Sequence, residues 1–83
     1  MPANMKQTLR TPSQVAEIIS ARRRHLKMGQ KELAAKLGIT QSAISQIESQ
    51  TIPTTIQRLL DIANILNLEV VIQDRGQKTE ADW

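Results

Sequence analysis

Cysteine is absent from this 83-residue chain, and its only aromatic residue is Trp83. Without cysteine the chain forms no disulfide and no thiolate metal site, which is typical of proteins in a reducing cytoplasm. The chain has no apolar run near the roughly 18 residues that span a membrane, and residues 1–10 lack the apolar stretch of a secretory signal. We therefore expect a soluble cytoplasmic protein with one small domain.

Charge is unevenly distributed along the chain. Residues 1–58 contain nine Lys or Arg and three acidic residues, a net charge of +6, whereas residues 59–83 contain two and five, a net charge of −3. A basic body suits a polyanionic partner, and an acidic end suits a different one. Because many solvated protein faces are also basic, charge alone does not decide between these interpretations.

Capping signals predict the first three of four helices. Residues 11–14 read Thr-Pro-Ser-Gln, an N-cap threonine, a proline at the first helical position and a glutamine that closes a capping box. This pattern predicts a first helix that ends near Lys27. A second helix is expected to begin at Gly29 and to stop at Gly38, and Thr40 is expected to cap a third.

The fourth helix is predicted after Pro53, with Thr54 and Gln57 as its capping box. Helical spacing places one apolar set on a common face: Ile56, Leu59, Leu60, Ala63 and Leu66. Ile62 and Ile65 fall off that face. We therefore expect them to contact a second copy of the chain.

Residues 68–73 are rich in β-branched side chains and predict a strand. A lone strand leaves its backbone groups unpaired, so pairing with the same strand of a second copy about a twofold axis is favoured. The alternative is an edge strand formed by residues 5–10. The sequence thus divides into an N-terminal extension (1–10), a helical domain (11–67), a dimerisation strand (68–73) and a flexible tail (74–83).

Residues 30–48 have the spacing of a helix-turn-helix. Ala34 provides the small residue where two helices cross, Gly38 permits the tight turn, and three isoleucines anchor the second helix: Ile39, Ile44 and Ile47. Any helical hairpin can carry one of these features. The five together favour a DNA-binding motif, since the side chains left exposed are uncharged and suit base edges in a major groove.

On this motif, residues 12–66 resemble the lambda-repressor-like, or XRE-type, helix-turn-helix domain. The wider pattern resembles the HipB antitoxins of HipA-type kinase toxins, through residues 11–14, the segment 68–73 and a tail that ends in Trp83. The resemblance implies a mainly all-α fold: a bundle of four helices plus one C-terminal β-strand that pairs across a homodimer. It also implies palindromic operator DNA as a partner, repression of its own operon, a bacterial nucleoid-associated location and a complex with a serine/threonine kinase toxin.

The resemblance also assigns residue roles. The side chains that it assigns to contact with base edges are Gln41, Ser42 and Ser45, with Thr40 and Gln46 at the edge of the DNA contact. Gln30 resembles the family's phosphate contact. From the residues alone, Lys31 serves either phosphate contact or solubility, and Arg22 and Arg24 either contact phosphate or are solvated. Arg23 and Glu48 match a buried ion pair. The dimer interface is expected to comprise Ile62, Ile65, Leu68, Val70, Val71 and Ile72, and Trp83 is expected to bind the toxin, to fold back or to stay in solvent.

No catalytic set is apparent in the sequence. His25 is the only histidine, and it has no nucleophile or cysteine beside it. Gly-rich phosphate loops and metal-ligand spacings are also missing. We therefore expect neither an enzyme nor a bound cofactor or metal. The alternatives to an antitoxin are a stand-alone repressor without a toxin and an adaptor whose helix-turn-helix binds no DNA.

Overall fold

The computed structural model describes residues 6–75. It contains four helices: α1 (Pro12–His25), α2 (Gln30–Leu37), α3 (Gln41–Glu48) and α4 (Ile56–Ile65). Helix α2 packs against α3 and α4, and α1 packs against α3. The four helices expected from the sequence are thus confirmed. Within the described residues, none of the helices is long and apolar enough to cross a membrane.

The expected caps are present at the starts of α1 and α3. The Thr11 side chain accepts a hydrogen bond from the Gln14 backbone, and Gln14 Oε1 accepts one from the Thr11 backbone at 3.0 Å, which completes a capping box. At α3, Thr40 Oγ1 accepts a hydrogen bond from the Ala43 N–H at 3.1 Å. These bonds satisfy backbone donors that have no acceptor inside the helix.

The predicted cap of α4 was wrong by one residue. Thr55 is the N-cap, and its hydroxyl accepts a hydrogen bond from the Arg58 N–H at 3.0 Å. The Gln57 side chain, expected to close a box with Thr54, instead donates to Asp61 Oδ1 at 3.0 Å. The sequence has two adjacent threonines, and either could be the N-cap. With Thr55 as the N-cap, the Gln57 side chain bonds to a residue one turn further along the helix.

All four helices end in the same way. A residue with a left-handed backbone stands one or two positions after the last residue of each helix: Lys27, Gly38, Gln50 and Asn67 have φ of +57°, +73°, +63° and +57°. The next N–H then donates back to a carbonyl five residues earlier, in the pairs Met28–Arg23, Ile39–Ala34, Thr51–Gln46 and Leu68–Ala63. This is the Schellman motif, which satisfies carbonyls exposed at a helix end.

One core joins the four helices. Its buried members are Ile19, Leu33, Ala34, Ile44, Ile47, Ile62 and Leu66. The expected apolar face of α4 was partly right. Ala63 and Leu66 are buried as expected, but Ile56 is 75% exposed, and Ile62, expected off that face, is fully buried in this core. Ile65 is partly buried and packs against the same core. Ile62 is therefore unavailable to a second copy, contrary to the expectation from spacing.

The segments that flank the helices lack regular secondary structure in the described part of the chain. Residues 6–10 form no strand, and neither do residues 68–75. The strand expected at residues 68–73 forms by pairing with a second copy of the chain. A single protomer does not test that pairing, so the strand stays a prediction. Val71 and Ile72 are 64% and 91% exposed, which is unusual for apolar side chains of this size.

Candidate nucleic-acid interface

One side of α3 is buried and the other is polar. Ile44 and Ile47 are buried against the core, at 0% and 4% exposure. The residues expected to read bases are all exposed: Thr40, Gln41, Ser42, Ser45 and Gln46. We call this set the reading face. It combines hydrogen-bonding side chains that have no charge with a helix whose other side is fixed by packing.

The turn between α2 and α3 has the geometry that the sequence indicated. Gly38 adopts φ +73°, a conformation that costs glycine little because it has no Cβ. Its N–H and that of Ile39 donate to the last carbonyls of α2, at 3.2 and 3.0 Å. Ala34 is 2% exposed, and its small side chain allows α2 and α3 to approach closely. The turn thus sets the crossing of the two helices.

An ion pair joins α1 to the end of α3. Arg23 Nε lies 2.7 Å from Glu48 Oε2, and a second guanidinium nitrogen lies 3.0 Å from Oε1. The side chains are only 10% and 8% exposed. Arg23 also donates to the Met28 carbonyl at 2.9 Å. The pair implied by the resemblance is therefore present, with two parallel hydrogen bonds, the strong geometry for an arginine and a carboxylate.

The surroundings of Glu48 favour its charged form. Burial raises the pKa of Glu48, but hydrogen bonds from Arg23 and Gln30, with the Arg23 charge, outweigh it, and the pKa lies below its ordinary value. The pKa of Arg23 is raised, chiefly by its hydrogen bond to Glu48. Both groups are therefore ionised at neutral pH.

Gln30 stands at the first position of α2, where the resemblance placed a phosphate contact. Its side-chain amide donates to Glu48 Oε1 at 3.0 Å. The start of α2 is thus tied to the end of α3 through Glu48. The side chain is partly buried, and the helix start beside it attracts anions because the first N–H groups and the helix dipole point outward there.

Arg22, expected either to contact phosphate or to be solvated, is bound to the end of α4 in the protomer. Its Nε donates to the Leu66 carbonyl at 2.9 Å, and Nη2 donates to the Asn67 carbonyl at 3.5 Å. These carbonyls lie just past α4, where a positive charge is favoured by the helix dipole. Arg24 and Lys31, by contrast, are exposed. In the protomer these carbonyls hold the Arg22 guanidinium, and its contact with phosphate stays a prediction.

Sequence reasoning missed the contact of Gln50 with α1. Its Nε2 donates to Ser13 Oγ at 3.4 Å, which joins the end of α3 to the start of α1. Its backbone forms the left-handed turn after α3. A single sequence has no local signal for a contact between residues 37 positions apart, so this role could not be found before the fold was known.

Metal binding has no support in the described part of the chain. Between residues 6 and 75, no three His, Cys, Asp or Glu side chains lie together as a metal site would require. His25, the only histidine, is exposed at the end of α1.

Residues 11–72 match the model of a helix-turn-helix family. The chain belongs to this XRE-type helix-turn-helix family. It is accordingly a DNA-binding regulator of that family, and the match covers all four helices and the reading face. The lambda-repressor-like fold expected from the sequence is thereby confirmed.

The chain is similar to two kinds of known protein. Over 58 residues it is 43% identical to the uncharacterized HTH-type transcriptional regulator y4dL of Sinorhizobium fredii (strain NBRC 101917 / NGR234), covering 70% of this chain but 30% of that protein. The chain thus spans less than a third of that relative's length. It also resembles HipB in an O2 20mer complex, with a TM-score of 0.76, 31% identity and coverage of 86% of this chain and 99% of that one.

A second solved assembly is a HipA–HipB–O2–O3 complex. The matching chain has a TM-score of 0.75 and 31% identity, covering 84% of this chain and 99% of that one. The resemblance to HipB stated from the sequence is therefore confirmed.

Proposed function

We propose that this chain is a homodimeric repressor that reads operator DNA with α3 and, as an antitoxin, binds a HipA-type kinase toxin. The reading face carries this proposal. Its uncharged side chains suit base edges, and glutamine in particular makes two hydrogen bonds with adenine in the major groove. Likeness to HipB solved with an O2 20mer supports docking α3 in that groove.

Phosphate contacts fall to neighbouring elements, because Glu48 is the only charged residue in α3. The start of α2 offers backbone N–H groups at Gln30, and Lys31 is exposed on the same first turn. Arg24 is exposed near the end of α1. Such contacts fix the position of the protein on the duplex without reading sequence. We assign them to Gln30, Lys31 and Arg24.

Dimerisation is assigned to the segment after α4. Val70, Val71 and Ile72 are exposed in the protomer, and Leu60 on α4 is 40% exposed beside them. A hollow lined by Leu60, Ala63, Asn64, Leu68, Glu69 and Val70 can receive an apolar side chain from a second copy. Pairing of residues 68–73 about a twofold axis would satisfy their backbone groups and cover this surface. Ile65 is only partly buried against the core and stays in the assigned interface, whereas Ile62 is excluded by its burial.

The twofold axis defines the operator. A dimer with one reading helix per copy reads two inverted half-sites, whose centres lie about one helical turn, roughly 34–36 Å, apart. The operator is therefore a palindrome. Repression follows if that palindrome overlaps the promoter of the chain's own gene.

Toxin binding is assigned to the C-terminal tail. The HipA–HipB–O2–O3 assembly supports a partner of HipA type. Trp83 lies outside the described residues, and its assignment rests on the sequence alone. A tryptophan that enters a partner's pocket buries a large apolar surface and often dominates binding.

Purification from the native host tests both halves of the proposal. The full chain carries an affinity tag at residue 1. We expect it to co-elute with a kinase-like protein. We also expect it to protect a palindrome upstream of its own gene in a DNA footprinting assay. A Gln41→Ala chain is the matched control, since it should retain the kinase and lose the footprint. Elution of the homodimer alone, with the footprint intact, would contradict the antitoxin assignment but not operator binding.

A stand-alone repressor is the second candidate. It is favoured by the identity to an HTH-type transcriptional regulator, which at 43% exceeds the identity to HipB. This candidate keeps the operator, the dimer and the reading face, and it lacks only the toxin. The genes beside this one discriminate the two candidates, because an adjacent kinase-like reading frame is expected for the antitoxin alone.

A further inference from the structure

A groove with a volume of about 580 Å³ lies between the segment before α1 and the loop that joins α3 to α4. Its apolar lining includes Val15 and Ala16 from α1, Ile47 from α3 and Leu59 from α4. No residue of the reading face or of residues 68–73 lines it. The groove is therefore separate from the surfaces assigned to DNA and to the dimer.

Large apolar side chains also remain exposed along this groove. Leu9, Ile52 and Ile56 line it, and their exposed fractions are 43%, 37% and 75%. A soluble protein of this size rarely leaves several such side chains together in water unless something covers them. The volume lies within the range of small-molecule pockets, roughly 300–1,000 Å³.

The charge of the groove limits what can cover it. Fifteen residues line it, all within the described part of the chain, and Arg10 is the only ionisable one among them. No carboxylate lines the groove to balance Arg10. Burying an apolar cation beside an arginine is unfavourable, whereas an anionic group gains a partner there.

The backbone reinforces this preference. Both α1 and α4 begin at the groove, since Thr11, Pro12, Thr55 and Ile56 are among the residues that line it. The N–H groups of Ile56 and Gln57 open α4 and have no acceptor within the helix. The positive ends of two helix dipoles therefore add to the Arg10 charge at an apolar surface.

We propose that this groove binds a small apolar anion, such as a medium-chain carboxylate. The hydrocarbon lies on Val15, Ile47 and Leu59, and the carboxylate faces Arg10 and the start of α4. This site goes beyond the proposed function and does not depend on it, because neither the operator nor a toxin takes part.

Octanoate is the probe, titrated into the full-length protein by calorimetry, with octanol and octylamine as neutral and cationic analogues of the same length. We expect saturable binding of one octanoate per chain and binding of octylamine that is weaker by at least about tenfold. Absence of saturable octanoate binding would overturn the proposal. Equal binding of octylamine would do so too, since it would indicate adsorption to exposed apolar side chains.

Two variants locate the site. Ile56→Glu places a carboxylate at the first position of α4, where an acidic residue is favourable for the helix, and it should weaken octanoate binding by at least about tenfold through repulsion. Ala35→Glu adds the same charge at an exposed position of α2, a helix that contributes no residue to the lining, and should leave binding within about twofold. Circular dichroism checks that both variants remain helical. Equal affinities for the two variants would place the ligand elsewhere.

Arg10→Gln gives an independent test that does not alter any helix. We expect octanoate to bind about fivefold more weakly to this variant and octanol to bind unchanged, because only the charged headgroup loses its partner. A parallel loss of both ligands would contradict the assigned role of Arg10.

Discussion

Arg23 and Glu48 are 25 positions apart in the chain, yet two hydrogen bonds of 2.7 and 3.0 Å join the guanidinium to the carboxylate. Gln30 donates to the same carboxylate. Three helices are therefore connected at one buried carboxylate: α1 through Arg23, α2 through Gln30 and α3 through Glu48 itself. The orientation of the reading helix depends on this connection.

Loss of the Glu48 charge should strongly destabilise the fold. Glu48→Gln leaves Arg23 as an uncompensated buried charge, and we expect the free energy of unfolding to fall by about 3–5 kcal/mol. Urea denaturation measures the change. Glu32→Gln, at an exposed position of α2, is the control and should stay within about 0.5 kcal/mol. An unchanged midpoint for Glu48→Gln would contradict the buried pair.

The same carboxylate predicts a pH dependence. Because the pKa of Glu48 is lower in the folded protein than its ordinary 4.5, the folded state binds fewer protons than the unfolded state. The stabilisation is fully present above pH 4.5 and is lost as the pH falls through the lowered pKa. We expect the stability gap between wild type and Glu48→Gln to be constant from pH 7 to about 5 and to narrow below that. If the stability difference between wild type and Glu48→Gln became smaller as the pH rises, the direction of the Glu48 pKa shift would be contradicted.

Base reading and phosphate contact should separate in DNA-binding measurements. Gln41→Ala removes a two-bond contact with a base and should cost about 1–3 kcal/mol on the operator, with a relaxed preference at one base position. Lys31→Ala removes an exposed charge assigned to phosphate and should weaken binding to operator and random DNA alike, since phosphates carry no sequence. Fluorescence anisotropy on both DNAs measures the two losses. Equal losses on both for Gln41→Ala would refute its role as a reader.

The left-handed residues after the helices predict stabilising substitutions. Gln50 and Lys27 adopt φ of +63° and +57°, a conformation in which a Cβ is unfavourable. Lys27→Gly should raise stability by up to about 1 kcal/mol. Gln50→Gly should raise it by less, because it also loses the hydrogen bond to Ser13 Oγ. Ala21→Gly, at an exposed position inside α1, is the matched control and should lower stability by about 1 kcal/mol. Thermal denaturation measures these changes in stability. If the glycine variants and the Ala21→Gly control changed stability in the same direction, the left-handed conformation would not be the cause.

Two truncations should separate dimerisation from toxin binding. Deletion of residues 70–83 keeps Leu68, whose N–H closes the turn after α4, and should yield a folded monomer by light scattering. Deletion of residues 74–83 should leave the dimer and its DNA affinity nearly intact while weakening toxin binding. A dimer that survives the longer deletion would exclude the segment 68–73 as essential.

Trp83 allows an optical check of the tail in the full-length protein. We expect red-shifted and readily quenched emission from the isolated dimer, because the tail is assigned to a partner, and a blue shift when the toxin binds. Blue, protected emission without the toxin would show that Trp83 packs against its own dimer.

The sequence predicted the helices better than it predicted which face of α4 is buried. The caps at Thr11 and Thr40 and the turn at Gly38 depend on neighbouring residues, so local patterns were sufficient. In residues 56–66, however, seven of eleven positions are apolar. Two stripes at helical spacing then compete, and the structure buries Ile62 from one together with Ala63 and Leu66 from the other. Only the position of α2 and the other helices decides between them.

The three consecutive arginines of α1 show a similar limit for the site. Successive residues of a helix point about 100° apart. Arg23 therefore faces the core and pairs with Glu48, Arg22 reaches the end of α4, and Arg24 remains exposed. Their side chains are chemically identical, so composition could not assign the three roles. The resemblance identified the ion pair, and only the fold revealed the bond from Arg22 to Leu66.

The lack of positive charge on α3 has an evolutionary consequence. Attraction to the polyanion is assigned to α1 and α2, whereas discrimination between sequences is assigned to uncharged side chains on α3. Substitutions at Gln41 or Ser45 would therefore change which operator is chosen without altering how affinity falls with ionic strength. Duplicated copies of such a gene can therefore acquire new operators through single substitutions, while each copy keeps its sequence-independent affinity for DNA.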